Sequence, residues 1–426
     1  MKIENFHLRG VRGQMVVGFG GKGLGAVTSF LFTWLIARTA GAAGVGTFGT
    51  SLTTVQMGVT LALLGLDAIL VRSVSVHLSL GQTGLARAAA RHALQMGVAA
   101  GLAITTIIVI FHWQIAVDLI RSPAIAQSLM VLSLIIPIMV YCRLVSTVLR
   151  AVKWIGLSQF IDGPLTTSFG SAVLGVVLVL GLPVSAVFPS QLYLIGWLVT
   201  AALATFLFFR AVRSWAPREP LQESLLRPGF MILVANVNNV FIDWFATVLL
   251  AATHGPAEAG LFRVGYQIAA TLKLFSATSE TILQPVFAVS YRQGDLRRIG
   301  RIMRLTIVGL LLASAPLAAA VLIAPQWIMR IFGAQFTAGA TAMQILVLGQ
   351  VFSLVFASSG SVLMMAGRER LMVILTTVSA VIGTVLGLLF IPPYGAMGAA
   401  IAILGPLLFL RLASMIAVRR VGVPIF

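Results

Sequence analysis

The chain has 426 residues, of which 59% are hydrophobic and only 9% are charged. Its mean hydropathy of +1.03 leaves too few polar side chains to cover a soluble surface, since ordinary soluble domains are about 25% charged. These values exclude a soluble enzyme, a secreted disulfide scaffold and a disordered tail. The net charge of +18 is carried by dispersed basic residues and does not indicate nucleic-acid binding. We therefore predict an all-α polytopic integral membrane protein.

Twelve apolar runs are each long enough to cross a bilayer, which takes about 20 residues. The basic N-terminus resembles a signal peptide, but the run after it reaches Ile36 and contains Lys22, so we predict a retained first helix. The predicted spans are residues 15–37, 47–71, 89–111, 126–149, 155–180, 190–210, 229–252, 259–288, 302–324, 338–365, 371–391 and 396–418.

The distribution of basic residues predicts the orientation. With the N-terminus inside, 21 of the 29 lysines and arginines fall on inside segments and 4 on outside segments. This is the bias expected from the positive-inside rule. Both termini are therefore predicted to be cytoplasmic.

Residues 211–228 form the most polar connection and lie at the midpoint of the chain, as a linker between two halves would. Three short matches recur in order on either side of it at offsets of 211 to 215 residues. The clearest pairs Gly41–Phe48 with Gly255–Phe262 at an offset of 214. We predict a six-helix lobe at 1–210, a cytoplasmic linker at 211–228 and a second six-helix lobe at 229–426. Because six is even, the two lobes have the same orientation and form parallel repeats around a central cavity.

Polar residues share faces of predicted helices. Charge inside a membrane is costly, so such residues face a cavity or a partner. Lys22 and Ser29 lie on one face of helix 1. Asn236, Asn239 and Asp243 lie on one face of helix 7, at matching depths by the offset of 214. We predict that both faces line the cavity, with a purely structural Lys–Asp pair as the alternative.

A second polar face is predicted on helix 8, with Arg263, Gln267 beside Tyr266, Lys273 and Glu280. Asp162 begins an Asp-Gly-Pro sequence that is expected to break helix 5. Asp67 and Glu280 lie at matching cytoplasmic ends of spans, where local charge balance is the alternative to a role in coupling or gating. Arg143 and Arg411 are close enough to span ends to reach the headgroups.

Signals for enzymatic chemistry are absent from the sequence. Cys142 is the single cysteine, which excludes an internal disulfide, and the five histidines show no zinc-binding spacing. Gly20-Gly21-Lys22-Gly23 lacks the remaining residues of a phosphate-binding loop. We expect no catalytic residues, no metal and no cofactor.

Several segments in order along the chain resemble the polysaccharide flippases of the MOP (multidrug/oligosaccharidyl-lipid/polysaccharide) superfamily. The first half contributes Ile36–Phe48 and Leu63–Arg72. The second half contributes Gly255–Arg263, Ile282–Pro285, Met364–Arg368 and Ile391–Ala400. This resemblance covers nearly the whole chain.

The resemblance implies two six-helix lobes around a cavity that opens alternately to each side. It implies a lipid-linked substrate, undecaprenyl-diphosphate-linked oligosaccharide, moved from the cytoplasmic to the periplasmic leaflet of a bacterial inner membrane for lipopolysaccharide or exopolysaccharide synthesis. Membrane lipids and a polysaccharide polymerase with its chain-length machinery are the implied partners. The cations expected to offset the diphosphate are Lys22, Arg38, Arg263 and Lys273, and the groups expected to bind sugar hydroxyls are Gln56, Asn236, Asn238, Asn239 and Gln267. Asp67, Asp162 and Glu280 are the candidates for coupling to a proton or sodium gradient or for gating.

Three alternatives stay open. A cation-coupled multidrug exporter has the same fold but favours acidic cavity residues, whereas the candidates here are net basic. A membrane scaffold of a glycan-assembly complex would gain nothing from costly interior charge. An integral-membrane glycosyltransferase would need an acidic or metal-binding cluster at a loop.

Overall fold

A computed structural model describes residues 3–217, 219, 226–293, 295–356, 359–365 and 368–420. The described residues form helices and short connections, without strands. The first eight α-helices are α1 (Ile3–Leu63), α2 (Leu66–Ser79), α3 (Thr83–Gln114), α4 (Ala126–Ser133), α5 (Ile135–Ala151), α6 (Ile155–Ile161), α7 (Pro164–Val179) and α8 (Phe188–Val212). The other six are α9 (Leu226–Arg292), α10 (Leu296–Ile323), α11 (Pro325–Phe332), α12 (Ala340–Val355), α13 (Ser359–Met365) and α14 (Glu369–Arg420).

The three longest helices each contain a glycine with non-helical dihedral angles. These are Gly41 in α1 (φ 69°, ψ −168°), Gly255 in α9 (φ 84°, ψ 172°) and Gly395 in α14 (φ 51°, ψ −126°). Glycine populates positive φ without the steric penalty of a Cβ atom, so it permits the chain to change direction there. Gly41 and Gly255 are separated by 214 residues, which is the spacing of the sequence repeat.

Helix α14 folds back on itself at Gly395. Ser379 Oγ donates a hydrogen bond of 2.8 Å to the carbonyl oxygen of Pro406. A straight helix would place these residues about 40 Å apart at about 1.5 Å per residue. The segments before and after Gly395 are therefore packed side by side.

The length and hydropathy of the helices support a multi-pass membrane protein. Within the described residues, seven helices can cross a membrane, and up to nine can if each of two bent pairs is one span. The bent pairs are α4 with α5, at 41°, and α6 with α7, at 48°. This count is lower than the predicted twelve. Three of the seven helices are long and are each counted once, namely Gly23–Leu63 with 41 residues, Gly229–Leu274 with 46 and Arg370–Arg420 with 51.

The described chain forms two compact units. Unit 1 comprises Met1–Ala40, Ser51–Leu119 and Pro123–Val237. Its α5 packs against α2, α3 and α8. Gly97 lets α3 approach α5 closely, because a Cβ atom there would lie 2.7 Å from the Leu144 side chain and 2.9 Å from that of Val140. Small residues at helix contacts are typical of membrane bundles.

The start of the predicted linker contacts α3 within unit 1. Arg87 Nη1 donates to the carbonyl oxygens of Trp215 and Ala216, both at 3.3 Å. The Ala216 amide in turn donates to Thr83 Oγ1 at 3.0 Å. Most of the linker after this point lies outside the described residues.

Unit 2 comprises Gly41–Thr50, Ile120–Ser122 and Asn238–Phe426. Its α14 packs against α12 and α13, and α10 packs against α12. A core cluster near the end of α14 contains Phe287, Ile299, Met303, Val362, Leu363, Met415 and Val418. These contacts hold the last helices of the chain as one body.

A reciprocal contact within unit 2 relates the two copies of the repeat. A Cβ atom at Gly46 would meet the backbone of Pro256 and Gly260, and one at Gly260 would meet the backbone of Ala42 and Gly46. With the offset of 214, Ala42 corresponds to Pro256 and Gly46 to Gly260. Each of the two glycines therefore contacts the other, and each also contacts the residue four positions before the other. Such a self-complementary arrangement is the signature of a two-fold relation.

Candidate functional site

An ion pair links the two segments of α9. Arg263 Nη1 lies 2.9 Å from Asp243 Oδ1 and 3.1 Å from Oδ2. The two residues are 20 positions apart, so a straight helix would separate them by about 30 Å. The break at Gly255 brings them together. Their side chains are only 14% and 20% exposed, for Arg263 and Asp243 respectively, so the pair is largely removed from solvent.

Tyr266 lies between two cations on the same helix face. The guanidinium of Arg263 and the ammonium of Lys273 are each 5.1 Å from the centre of its ring. Lys273 Nζ also donates a hydrogen bond of 3.2 Å to Tyr266 Oη. Each cation–π contact stabilises its cation by about 0.5–2 kcal/mol, depending on desolvation. The tyrosine thus holds two positive charges close together.

A cavity of about 100 Å³ in unit 2 is adjacent to these groups. Three residues predicted from the sequence line it, namely Asn239, Asp243 and Lys273, and Tyr266 lines it with them. Pockets for drug-sized ligands measure roughly 300–1,000 Å³. This cavity can therefore hold a small charged group but not an oligosaccharide.

Two further polar residues line the cavity and were not predicted. They are Gln350 on α12 and Ser379 on α14, both buried. The sequence carries a signal for Gln350, because Gln350 and Ser353 are spaced i, i+3 in an otherwise apolar run. Ser379 has no such signal, since an isolated serine is common in membrane helices.

Arg411 contributes a third positive charge to this region. We expected it to reach the headgroups, but its Nε donates a hydrogen bond of 3.0 Å to Ser353 Oγ on α12, and it lies close enough to Lys273 for electrostatic repulsion. Among the described side chains in and beside the cavity, three cations, Arg263, Lys273 and Arg411, therefore accompany one carboxylate, that of Asp243. The region is net positive.

The other predicted residues lie elsewhere or outside the described side chains. Arg38 is exposed and stacks over Trp34 at 5.7 Å. Gln56 is partly buried and Asn236 is exposed; like Arg38, both belong to unit 1 and do not line this cavity. In unit 2, Gln267 is partly buried next to Tyr266. The side chains of Lys22 and Glu280 lie outside the described part of the chain, so the predicted pairing of the faces of helices 1 and 7 stays a prediction.

Asn238 joins two helices of unit 2. Its Nδ2 donates a hydrogen bond of 2.9 Å to Thr377 Oγ1 on α14. This contact occupies the amide in helix packing, whereas the sequence pattern assigned it to sugar hydroxyls.

Unit 1 contains a second charged group near the break between α6 and α7. Asp162 lies at this break, where Gly163 has a φ of 141°, as expected from the Asp-Gly-Pro sequence. Arg143, Arg150 and Asp67 are its charged neighbours. Asp67 Oδ1 is buried without a hydrogen-bond partner among the described residues. Two carboxylates and two guanidiniums thus form a charge-balanced cluster, whereas cations are in excess in the region around the cavity of unit 2.

Comparison with known proteins yields both family and fold. The sequence model of a family described as polysaccharide biosynthesis protein matches residues 9–290, and that of a family described as MatE matches residues 232–389. No curated protein matches the chain in sequence.

Solved structures of MOP superfamily transporters are similar in fold. An inward-facing multidrug resistance MATE family transporter gives a TM-score of 0.78 at 13% identity, with 93% of this chain and 94% of the other covered. The lipid II flippase MurJ in an inward closed conformation gives 0.75 at 12% identity, with 95% and 87% covered. A MOP superfamily transporter from Pyrococcus furiosus, described as having a binding pocket of reverse polarity, gives 0.70 at 14% identity, with 96% and 95% covered.

Proposed function

We propose, because the chain belongs to the polysaccharide biosynthesis protein family, that it is an alternating-access flippase for undecaprenyl-diphosphate-linked oligosaccharide. The family and the fold make it a MOP superfamily transporter and not an enzyme. The single observation that carries the substrate proposal is the excess of cations in and beside the cavity of unit 2. An anionic diphosphate entering a membrane protein needs cations to replace its hydration shell, and Arg263, Lys273 and Arg411 supply them.

We propose twelve membrane spans in two parallel six-helix lobes, at 1–210 and 229–426. If they were straight, the three long segments of 41, 46 and 51 residues would be about 60–77 Å long at about 1.5 Å per residue, at least twice the thickness of a hydrocarbon core of about 30 Å. Dividing each at its non-helical glycine adds three spans, and treating each bent pair as one span gives twelve. The reciprocal contact of Gly46 with Gly260 supports the repeat.

The residues proposed to bind substrate differ in role. Arg263 and Lys273 supply charge for the diphosphate, and Asp243 holds Arg263 in place through their ion pair. Asn239 supplies a polar, uncharged group beside them. We extend the proposed site to Lys22, Arg38, Gln56, Asn236 and Gln267 from their sequence pattern. A cavity of about 100 Å³ accommodates one phosphate-sized group, while the polyprenyl tail remains in lipid.

Asp67, Asp162 and Glu280 are proposed to act in coupling or gating. For Asp67 and Asp162, the proposal is supported by their place in a cluster with Arg143 and Arg150. Protonation of either carboxylate would change the charge balance of the cluster, which is how a proton gradient can bias two conformations. We propose that it lies in a bacterial inner membrane with both termini cytoplasmic, an orientation that the distribution of basic residues supports. Its proposed partners are a polysaccharide polymerase and its chain-length machinery.

A second candidate function is multidrug export. The match of the MatE family to residues 232–389 favours it, because that range contains the whole ion pair and Lys273. The excess of cations there argues against it, since exporters of cationic drugs need acidic cavity groups.

The test is transport by the purified protein in liposomes. A fluorescent undecaprenyl-diphosphate-linked oligosaccharide is placed in both leaflets, and a quencher is added outside the liposomes. The fraction of the fluorescent lipid that becomes accessible to the quencher over time measures flipping. We expect flipping by the wild type and its loss in Lys273→Met. Arg330→Met is the matched control, because Arg330 is also in unit 2 but is exposed and does not line the cavity.

Each outcome of this experiment decides between the candidates. Absence of flipping by an intact wild-type protein, with and without imposed proton or sodium gradients, would refute the flippase. Efflux of a cationic dye from the same liposomes, without flipping of the lipid-linked sugar, would establish the exporter. Equal flipping by Lys273→Met and Arg330→Met would remove the role of the unit 2 cavity.

A further inference from the structure

A groove separates the two ends of α14. Because the helix reverses at Gly395, residues just before its start and at its end lie at the same end of the pair. The groove has a volume of about 410 Å³. It is lined by two arginines and five apolar residues, which are Arg368, Arg420, Leu371, Leu375, Ala413, Ile416 and Ala417. None of these residues lines the charged cavity described above.

The spacing of the lining residues explains the shape of the groove. Arg368, Leu371 and Leu375 follow at i, i+3 and i+7, and Ala413, Ala417 and Arg420 at i, i+4 and i+7. Each row therefore lies on one face of its helical segment. The methyl groups of the two alanines leave space between the segments that larger side chains would fill. Each row is about 10 Å long at about 1.5 Å per residue.

The side chains beside the groove indicate that it opens toward lipid. Ile374, next to the groove, is 58% exposed, and Ile416, which lines the groove, is 55% exposed. Both lie on a helix that is long and apolar enough to span a membrane. In a membrane-spanning helix, exposed isoleucines contact hydrocarbon rather than water. A molecule in the groove therefore has access from the bilayer.

The end of the groove carries unbalanced positive charge. Arg368 and Arg420 are both exposed. In the sequence, Glu369 is the only acidic residue after Asp295, whereas Arg370 and Arg419 add two more cations at this end. Basic pockets between membrane helices at the cytoplasmic side attract acidic headgroups, and this is the end that the distribution of basic residues predicts to be cytoplasmic.

We propose that the groove binds one anionic glycerophospholipid, with its phosphate between Arg368 and Arg420 and one acyl chain along Leu371, Leu375, Ala413 and Ala417. The apolar lining favours a lipid over free phosphate, because inorganic phosphate would contact only the arginines and would leave the apolar part of the groove unfilled. Such a lipid would hold the two ends of α14 together independently of the transported substrate.

The test is native mass spectrometry of the full-length protein in detergent, titrated with phosphatidylglycerol or phosphatidylcholine. We expect one tightly bound phosphatidylglycerol per chain and weaker binding of phosphatidylcholine. The double variant Arg368→Gln/Arg420→Gln should bind phosphatidylglycerol about 30-fold more weakly, which is about 2 kcal/mol, from about 1 kcal/mol per basic residue. Arg370→Gln/Arg419→Gln is the matched control, because it loses the same charge from neighbouring positions that do not line the groove, and it should retain most of the affinity.

A second variant tests the acyl chain without changing charge. Ala417→Leu fills the groove and should also weaken binding of phosphatidylglycerol. Thermal unfolding of each variant without added lipid establishes that it is folded. Equal lipid binding by the groove variants and the control would overturn the proposal. Three other results would each identify a different occupant and overturn the proposal as well. They are competition by inorganic phosphate, tighter binding of undecaprenyl phosphate than of phosphatidylglycerol, and binding of phosphatidylglycerol only after residues 421–426 have been removed.

Discussion

Alanine at Gly46 or Gly260 tests the closest backbone contact within unit 2. A Cβ atom at Gly46 would lie 2.6 Å from the carbonyl carbon of Pro256 and 2.9 Å from the amide nitrogen of Gly260. A Cβ atom at Gly260 would lie 2.9 Å from the carbonyl carbon of Ala42 and 3.0 Å from the amide nitrogen of Gly46. The clashing atoms are backbone, so no side-chain rotation can relieve them. The two helical segments must move apart.

The magnitude follows from two opposing effects. The nearest clashing atoms are the carbonyl oxygens of Pro256 and Ala42, and ordinary Cβ contacts begin at 3.4 Å. The segments must therefore separate by more than about 1 Å, and overpacking of this kind costs about 1–3 kcal/mol. Alanine is better than glycine inside a helix by about 1 kcal/mol. Because the clash is with rigid backbone, we take the upper end of the range and expect each substitution to destabilise the protein by about 2 kcal/mol.

The assay is SDS-induced unfolding of the purified protein in mixed micelles. The matched control is Gly309→Ala on α10, where nothing lies within 4 Å of the added Cβ atom. This control should be neutral or stabilising by up to about 1 kcal/mol. The double variant Gly46→Ala/Gly260→Ala should be less destabilised than the sum of the single variants, because one separation relieves both clashes. If Gly46→Ala and Gly309→Ala unfold at the same SDS fraction, the close approach of the two segments is wrong.

Three further predictions concern the charged residues. Asp243→Asn should destabilise the protein by about 2–3 kcal/mol in SDS unfolding, which is less than the cost of breaking a fully buried pair. The double variant Asp243→Asn/Arg263→Gln should recover part of this stability, and no recovery would mean that the two residues do not interact. Gly49→Leu should slow flipping as much as Arg263→Gln, because a Cβ atom at Gly49 would lie 3.0 Å from Arg263 Cγ. If Gly49→Leu flips the lipid at the same rate as the control Gly309→Leu, this prediction is wrong. Tyr266→Phe should slow flipping less than Tyr266→Leu, since phenylalanine keeps the two cation–π contacts and loses only the hydrogen bond to Lys273. Equal flipping rates for these two variants would show that the face of the ring has no role.

The sequence was informative about breaks and faces of helices. Gly41 and Gly255 both lie between predicted spans, and both have positive φ in the structure. The break at Asp162 followed from the restriction that proline imposes on the chain. Helical periodicity likewise placed Asp243 and Asn239 on one face, and both line the cavity. Local patterns suffice for such features because they depend on residues a few positions apart.

Partners on other helices could not be predicted. Periodicity gives the face of a helix but not which helix packs against that face, so neither the hydrogen bond from Arg411 to Ser353 nor the position of Ser379 was foreseen. The pairing of Arg263 with Asp243 needed the direction in which α9 reverses at Gly255. The use of Asn238 in helix packing with Thr377 was missed for the same reason.

The divergence of the two repeats at Gly49 and Arg263 has a steric cause. These residues are equivalent at the offset of 214, and they contact each other beside the reciprocal contact of Gly46 and Gly260. Side chains at two equivalent positions that face each other across a two-fold axis would extend into the same space. The two positions therefore cannot both carry a long side chain. Glycine in the first copy leaves room for arginine in the second, which can then pair with Asp243. The two copies together therefore carry one guanidinium at this position rather than two, and the ion pair of Arg263 with Asp243 is confined to the second copy of the repeat.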